Sequence, residues 1–208
     1  MSDVDKQLIY KVFTDPEVKK ALENITNSSL CESYYALRHF IELLDTLLGT
    51  QYDIISIVKK IVFDSIPNLL DYIDTIPKGL FENVKGIRTI KLNSNIYSIE
   101  RNAFGYCIDL KELDCGDTNI EELGPGTIYG VELKKLILPK TLTYISADNL
   151  VNSDLTEIEF RGTREQWHRD VGFSYTSDGF GRVELVKCSD GDIKIENYSS
   201  ANLKFIDI

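Results

Sequence analysis

Residues 98–113 read SIERNAFGYCIDLKEL, and the spacing of their apolar side chains decides the fold. Ile99, Phe104 and Cys107 lead into Leu110 and Leu113, which is either an isolated strand–turn–helix or one copy of a recurring unit. The rest of the chain answers in favour of recurrence. IRTIKL starts at Ile87, LKELDC at Leu110, LKKLIL at Leu133 and LTEIEF at Leu155, at steps of 23, 23 and 22 residues. Each block is apolar at its first, fourth and sixth positions: Ile87/Ile90/Leu92, Leu110/Leu113/Cys115, Leu133/Leu136/Leu138 and Leu155/Ile158/Phe160. Later positions keep step as well, in the sets Ile96/Ile120/Leu142, Ile99/Leu123/Ile145 and Phe104/Ile128/Leu150. A partial earlier copy places Ile76, Phe81 and Val84 each 23 residues before Ile99, Phe104 and Cys107. The opening stretch is the second half of one repeat running into the first half of the next.

Alternation at the fourth and sixth positions makes a short strand with one buried face. Turn residues follow each strand, at Asn93–Asn95, Gly116–Asn119 and Pro139–Lys140. The segment carrying Phe104, Ile128 or Leu150 then returns along the other side as a short helical or irregular turn. One copy cannot bury its own apolar edge, so copies must stack, giving an α/β chain built on a parallel, right-winding solenoid of about four to five rungs.

The blocks resemble the BspA-like leucine-rich repeat family, whose unit reads roughly L-x-x-I-x-I-P-x-x-V-x-x-I-x-x-x-A-F-x-x-C. LKKLILPKTLTYISADNL and YSIERNAFGYCIDL follow that pattern, whereas CGDTNIEELGPGTIYG carries one extra residue and lacks the Ala-Phe. IEFRGTREQWHRD is similar to the family's terminal G-T-x-x-x-W segment, and VKCSDGDI to its closing hairpin. The resemblance covers roughly residues 66–195. It implies a leucine-rich-repeat solenoid and a role in protein recognition, without a reaction.

Both ends of such an array need covering, because a terminal rung exposes strand edge and apolar surface. Residues 1–65 read as a helical cap, residues 66–163 as the solenoid and residues 164–208 as a C-terminal cap with a β-hairpin. DPEVKKALENI has Asp15 at an N-cap, Pro16 in the first turn, and Val18, Ala21, Leu22 and Ile25 on one face. Residues 29–48 carry Leu30, Tyr34, Leu37, Ile41, Leu44 and Leu48 on one stripe that stops at Gly49. A further helix near 53–64 is apolar on most sides, which suits a position wedged between helices and solenoid. At the other end Trp167 is expected to cover the last rung. VELVKCSDGDIKI alternates on both sides of Asp190-Gly191 as a hairpin does, and LKFIDI adds a final strand.

Chemistry-bearing patterns are few. The two histidines are His39, inside the predicted amphipathic helix of residues 29–48, and His168, beside Trp167. Neither G-x-S-x-G nor H-E-x-x-H occurs, and Cys31, Cys107, Cys115 and Cys188 form no C-x-x-C pair. GPGTIYG lacks phosphate-loop spacing, SDGD lacks the further oxygens of a calcium loop, and CSD at 188–190 stands without a catalytic domain behind it. The expectation is a non-enzyme without cofactor or metal.

The 208 residues carry a net charge of −10, made up of −3 over 1–64, −5 over 65–163 and −2 over 164–208. That sign disfavours direct nucleic-acid binding and anionic membranes, and suits another protein, including one with a basic surface. The N-terminus shows no secretory pattern and no membrane-length apolar run occurs, so a reduced, cytoplasmic chain is expected. The outward strand positions nominate Lys91, Glu112, Asp114, Lys135, Ile137 and Glu159 as partner-binding residues, with Ile137 as the apolar anchor. Four strands at about 4.8 Å spacing span only about 15 Å, so a partner would also need the flanking caps. The competing functional reading is an acidic, phage-type inhibitor or decoy that blocks the nucleic-acid-binding surface of a host or defence enzyme. A structural element of a larger particle is the third.

Overall fold

The computed structural model describes residues 1–66, 68–150, 153–174, 181–197 and 203–208. The chain opens with α1 (Asp3–Thr14), α2 (Pro16–Asn27), α3 (Leu30–Leu48) and α4 (Tyr52–Ser65), followed by a 3-10 turn, Leu69–Tyr72. Strands β1 (Thr75–Ile76), β2 (Thr89–Lys91), β3 (Ser98–Ile99), β4 (Glu112–Asp114), β5 (Glu122–Leu123), β6 (Lys135–Leu138), β7 (Tyr144–Ser146) and β8 (Glu157–Phe160) come next. Helix α5 (Arg164–Asp170) then leads to β9 (Gly172–Ser174), β10 (Leu185–Cys188), β11 (Gly191–Asn197) and β12 (Leu203–Asp207).

The helix starts follow their capping residues. Ser2 and Asp5 form a reciprocal capping box, Ser29 and Glu32 another, and Asp15 accepts from the Glu17 and Val18 N–H groups. Gly49 ends α3 at φ 56, a left-handed conformation that a side chain would oppose. Leu37, Ile41, Leu44 and Leu48 of the expected stripe are buried, and so is Phe40, whereas Leu30 at its start is exposed. In α4, Ile54, Ile55, Val58 and Val62 are buried, while Ile57 and Ile61 face solvent, so this helix is covered on one side only.

The repeat sets the strand register. Ile90 pairs with Leu113 and Leu113 with Leu136, all in parallel, and Ile137 pairs with Glu159 in the next strand. These four strands form one sheet with β10–β12, in the order β12-β11-β10-β8-β6-β4-β2. β10 joins β8 in parallel as a fifth rung, and β11 and β12 then turn back antiparallel. The second half of each repeat makes smaller parallel ladders, β1-β3 and β5-β7-β9. Position-equivalent side chains stack between rungs: the Phe81 and Phe104 ring centroids lie 5.2 Å apart with the rings nearly parallel. One continuous core runs from Val12 in α1 to Ile195 in β11, which unites helices, solenoid and hairpin.

The returning segments are stitched together by backbone bonds. The N–H groups of Phe81, Asn83, Phe104 and Tyr106 donate to the carbonyls of Ala103, Gly105, Thr127 and Tyr129, one rung further on. Side chains finish this ladder at both ends. Lys59 Nζ donates to Gly79 O at 2.6 Å, a carbonyl that also accepts from the Glu82 N–H, and more weakly to Glu82 O at 3.5 Å, where a preceding rung would have donated. At the far end Gly126 N–H and Ile128 N–H donate to the Asp148 and Asn149 side chains. Buried Asn149 is itself satisfied by the Leu123 and Gly124 carbonyls.

Candidate protein-binding surface

The outward positions of β2, β4, β6, β8 and β10 form a row of charges on a rigid ladder. Lys91 Nζ lies 2.9 Å from Asp117 and 3.7 Å from Asp114. Lys135 Nζ is 3.0 Å from Glu112 in the neighbouring strand, and Lys187 Nζ is 2.8 Å from Glu157. Arg161 Nη1 meets Glu159 at 2.8 Å, within one rung. The hydrogen bond to Asp117 holds the Lys91 amine above its ordinary pKa, and Glu112 and Glu157 do the same for Lys135 and Lys187. Asp117 is held below the usual carboxylate value by Lys91. These groups are partnered with one another.

Ile137 departs from its expected role. Its register, between Asp114 and Glu159, is the outward one, but only 3 % of its surface is exposed. The cause is Gly116: a Cβ there would come within 2.9 Å of Ile137 Cγ2 and 2.8 Å of Arg161 Nε. A bare glycine lets the Arg161 side chain and Ile137 close on the turn, and the arginine stem is suited to covering apolar surface. Ile137 is therefore not available as an anchor. Asp114 is 8 % exposed, and its carboxylate accepts from the Gly116 N–H at 2.9 Å, so it serves the turn first. Lys91, Glu112, Lys135 and Glu159 keep accessible side chains.

Two contributors to this face escaped the sequence reading. Lys187 belongs to it because β10 pairs in parallel with β8, and alternation in VELVKC was the only available signal. Asp117 sits in a turn, where nothing in the spacing points to Lys91.

The family model for the BspA type leucine rich repeat region matches residues 60–177 in six copies. The chain belongs to that family. Neither the curated proteins nor the solved structures contain a match to it. Repeats of this kind generally mediate protein–protein interaction. Helices α1, α2 and α3 lie outside the matched residues.

The BspA-type solenoid places its potentially reactive groups apart. Cys107 and Cys115 are buried; burial pushes the Cys107 thiol up to about 12 and raises that of Cys115 as well. The Cys188 thiol is raised to about 11, and the neighbouring Asp190 carboxylate accepts from the Arg164 N–H. A thiol raised in this way is a poor nucleophile at neutral pH. His168 Nε2 lies 2.8 Å from Asp207 and joins α5 to β12, while His39 is exposed on α3. Among the described residues no group of three or more His, Cys, Asp or Glu is placed to hold a metal ion. Among them, too, no helix is long and apolar enough to cross a membrane.

Proposed function

We propose that this chain is a non-catalytic protein-interaction module, an adaptor or inhibitor of the cytoplasm, that docks on a partner through the strand face and the adjoining caps. The observation that carries this reading is the row of cross-rung pairs Lys91–Asp114, Glu112–Lys135 and Glu157–Lys187. Their backbones are held by a parallel ladder, so little ordering remains to be done on binding. A partner with complementary charges exchanges internal ion pairs for intermolecular ones, which sets register and association rate more than affinity. Lys91, Glu112, Lys135 and Glu159 are the contacts, with Asp114 at the margin. Ile137 has no place among them.

The test is a charge swap, Glu112→Lys with Lys135→Glu. The internal pair survives in reversed order, so the fold is kept while the pattern offered to a partner is inverted. Affinity capture from the native host is expected to lose its partner with the swap and keep it with the single change Glu42→Gln on α3. Equal capture by the swap and the unaltered protein rules out the strand face. The net charge of −10 favours a second reading, an acidic decoy on a nucleic-acid-binding enzyme. That reading requires competition between the chain and DNA or RNA for the same target.

A further inference from the structure

β2 is the terminal strand of the seven-stranded sheet. Its neighbours on the β4 side are reached by the Arg88 carbonyl and the Leu92 N–H, which bond to Lys111 and Asp114. Alternation in a parallel ladder therefore turns the backbone N–H and C=O groups of Thr89 and Lys91 the other way. Among the described residues no hydrogen-bond partner meets them there. Among the described residues the chain before β2 adds no strand to this edge: Asn68 is left-handed, at φ 56, Leu69–Tyr72 is a 3-10 turn, and β1 pairs with β3 instead.

A groove of about 770 Å³ lies between these segments. Phe63, Ile66, Leu69 and Leu70 line it from the N-terminal side, and Lys91 and Leu92 from the solenoid. Three carboxylates also line it, those of Asp64, Asp71 and Asp117. Among the described residues the one cation in its wall, Lys91, is engaged by Asp117 and Asp114, and Asp64 pairs with Lys60 of α4, which leaves Asp71 as the carboxylate without an ion pair. The Lys91 end of the strand edge, an apolar wall and the Asp71 carboxylate thus meet in one place.

We propose that this groove receives an extended, lysine- or arginine-bearing segment of the partner protein, added to the sheet as a strand beside β2. The inference rests on the protein-binding reading above and gives it a specific site. Thr89 and Lys91 supply the main-chain hydrogen bonds, as in other cases of strand addition. One side chain of the segment points inward against Phe63 and Ile66. Its neighbours in sequence point outward, where a basic group meets the carboxylates. A three-residue edge that carries a lysine is poorly suited to pairing with a second copy of itself, which leaves it for a chosen segment.

The probe is an end-blocked hexapeptide alternating valine and lysine, compared with a version N-methylated on alternate amides and a version with glutamate for lysine. Amide shifts in the protein are expected to concentrate at Thr89–Lys91 and in 68–71. Methylation is expected to weaken binding about tenfold or more, the loss of roughly one good hydrogen bond or two modest ones, and glutamate is expected to weaken it as well. Lys91→Pro removes the outward N–H without touching the bonds to β4, a substitution edge strands accept. It is expected to lose the peptide. Equal binding of methylated and unmethylated peptide overturns the proposal whether or not Lys91→Pro folds. So does concentration-dependent dimerisation through β2 in the absence of peptide. If the strand-face swap abolishes capture of a partner but the peptide never binds, the protein-binding reading stands and the edge proposal falls.

Discussion

The two ends of the solenoid are closed in different ways. At the C-terminal end the sheet continues: β10 adds a parallel rung, β11 and β12 turn back, and buried Trp167 packs against Phe160 and Phe173. At the N-terminal end helices take over, and they cover the apolar cross-section without extending the sheet. Among the described residues only the returning side is finished there, by Lys59 on the Gly79 carbonyl and by Ser56, whose hydroxyl accepts from the Lys85 N–H. The contrast separates two needs of a terminal rung. Along its flank a helix offers apolar side chains but no free backbone groups, so that flank can bury a core yet cannot complete a ladder. A strand does both.

Removal of residues 1–65 should break the comparison most severely, because it strips Leu37, Phe40, Leu44, Ile55 and Val58 from the shared core. The remaining chain is expected to aggregate or to lose its cooperative melt, read by light scattering and circular dichroism. A stable monomer in its place would mean that the helices are not a cap at all.

Trp167→Ala is the counterpart at the other end. It is expected to cost about 3–5 kcal/mol in urea unfolding. Trp167→Phe should be milder, since the buried indole N–H has no partner to lose among the described residues. Leu136→Ala, in the middle of the array and fully buried, should fall at or below that range, about 2–5 kcal/mol. An unchanged melt there would remove the proposed register.

Lys59→Met tests the side-chain finish of the N-terminal ladder. It removes one of the two donors to the Gly79 carbonyl, the other being the Glu82 N–H, and is expected to destabilise by about 1 kcal/mol at neutral pH. Burial lowers the Lys59 pKa below its ordinary 10.5, opposed by Glu82 and Asp45. Between the lowered value and 10.5 the unfolded chain binds more protons than the folded one, so stability from this group rises with pH. The stability gap between the unaltered protein and Lys59→Met should therefore widen as pH approaches 10.5. The smallest effect belongs to the Glu112→Lys, Lys135→Glu swap, whose melting temperature should stay within experimental scatter because the pair is solvent-exposed.

The contrast between the ends also marks what could be read in advance. The hairpin at Asp190-Gly191, the strand at 203–207 and the covering role of Trp167 follow from local patterns, and the structure contains all three. The helices with Asp15 and Ser29 at their starts were equally plain. Lys59 gave no such sign, because a lysine in a helix is ordinarily solvated and its carbonyl partner lies 20 residues away. Ile137 is the instructive case. Alternation correctly put it on the outer face, yet its accessibility depended on Gly116 and Arg161, which reach it from neighbouring turns.

The sequence by itself determined the repeat, its register and the direction of each strand residue, because a period of 23 and an alternation of two are properties of the chain alone. Which outward residues meet solvent, which charges pair, and which strands end the sheet were decided only by the tertiary structure. Those outcomes depend on side chains from different rungs converging through space, and spacing along the chain carries no record of that convergence.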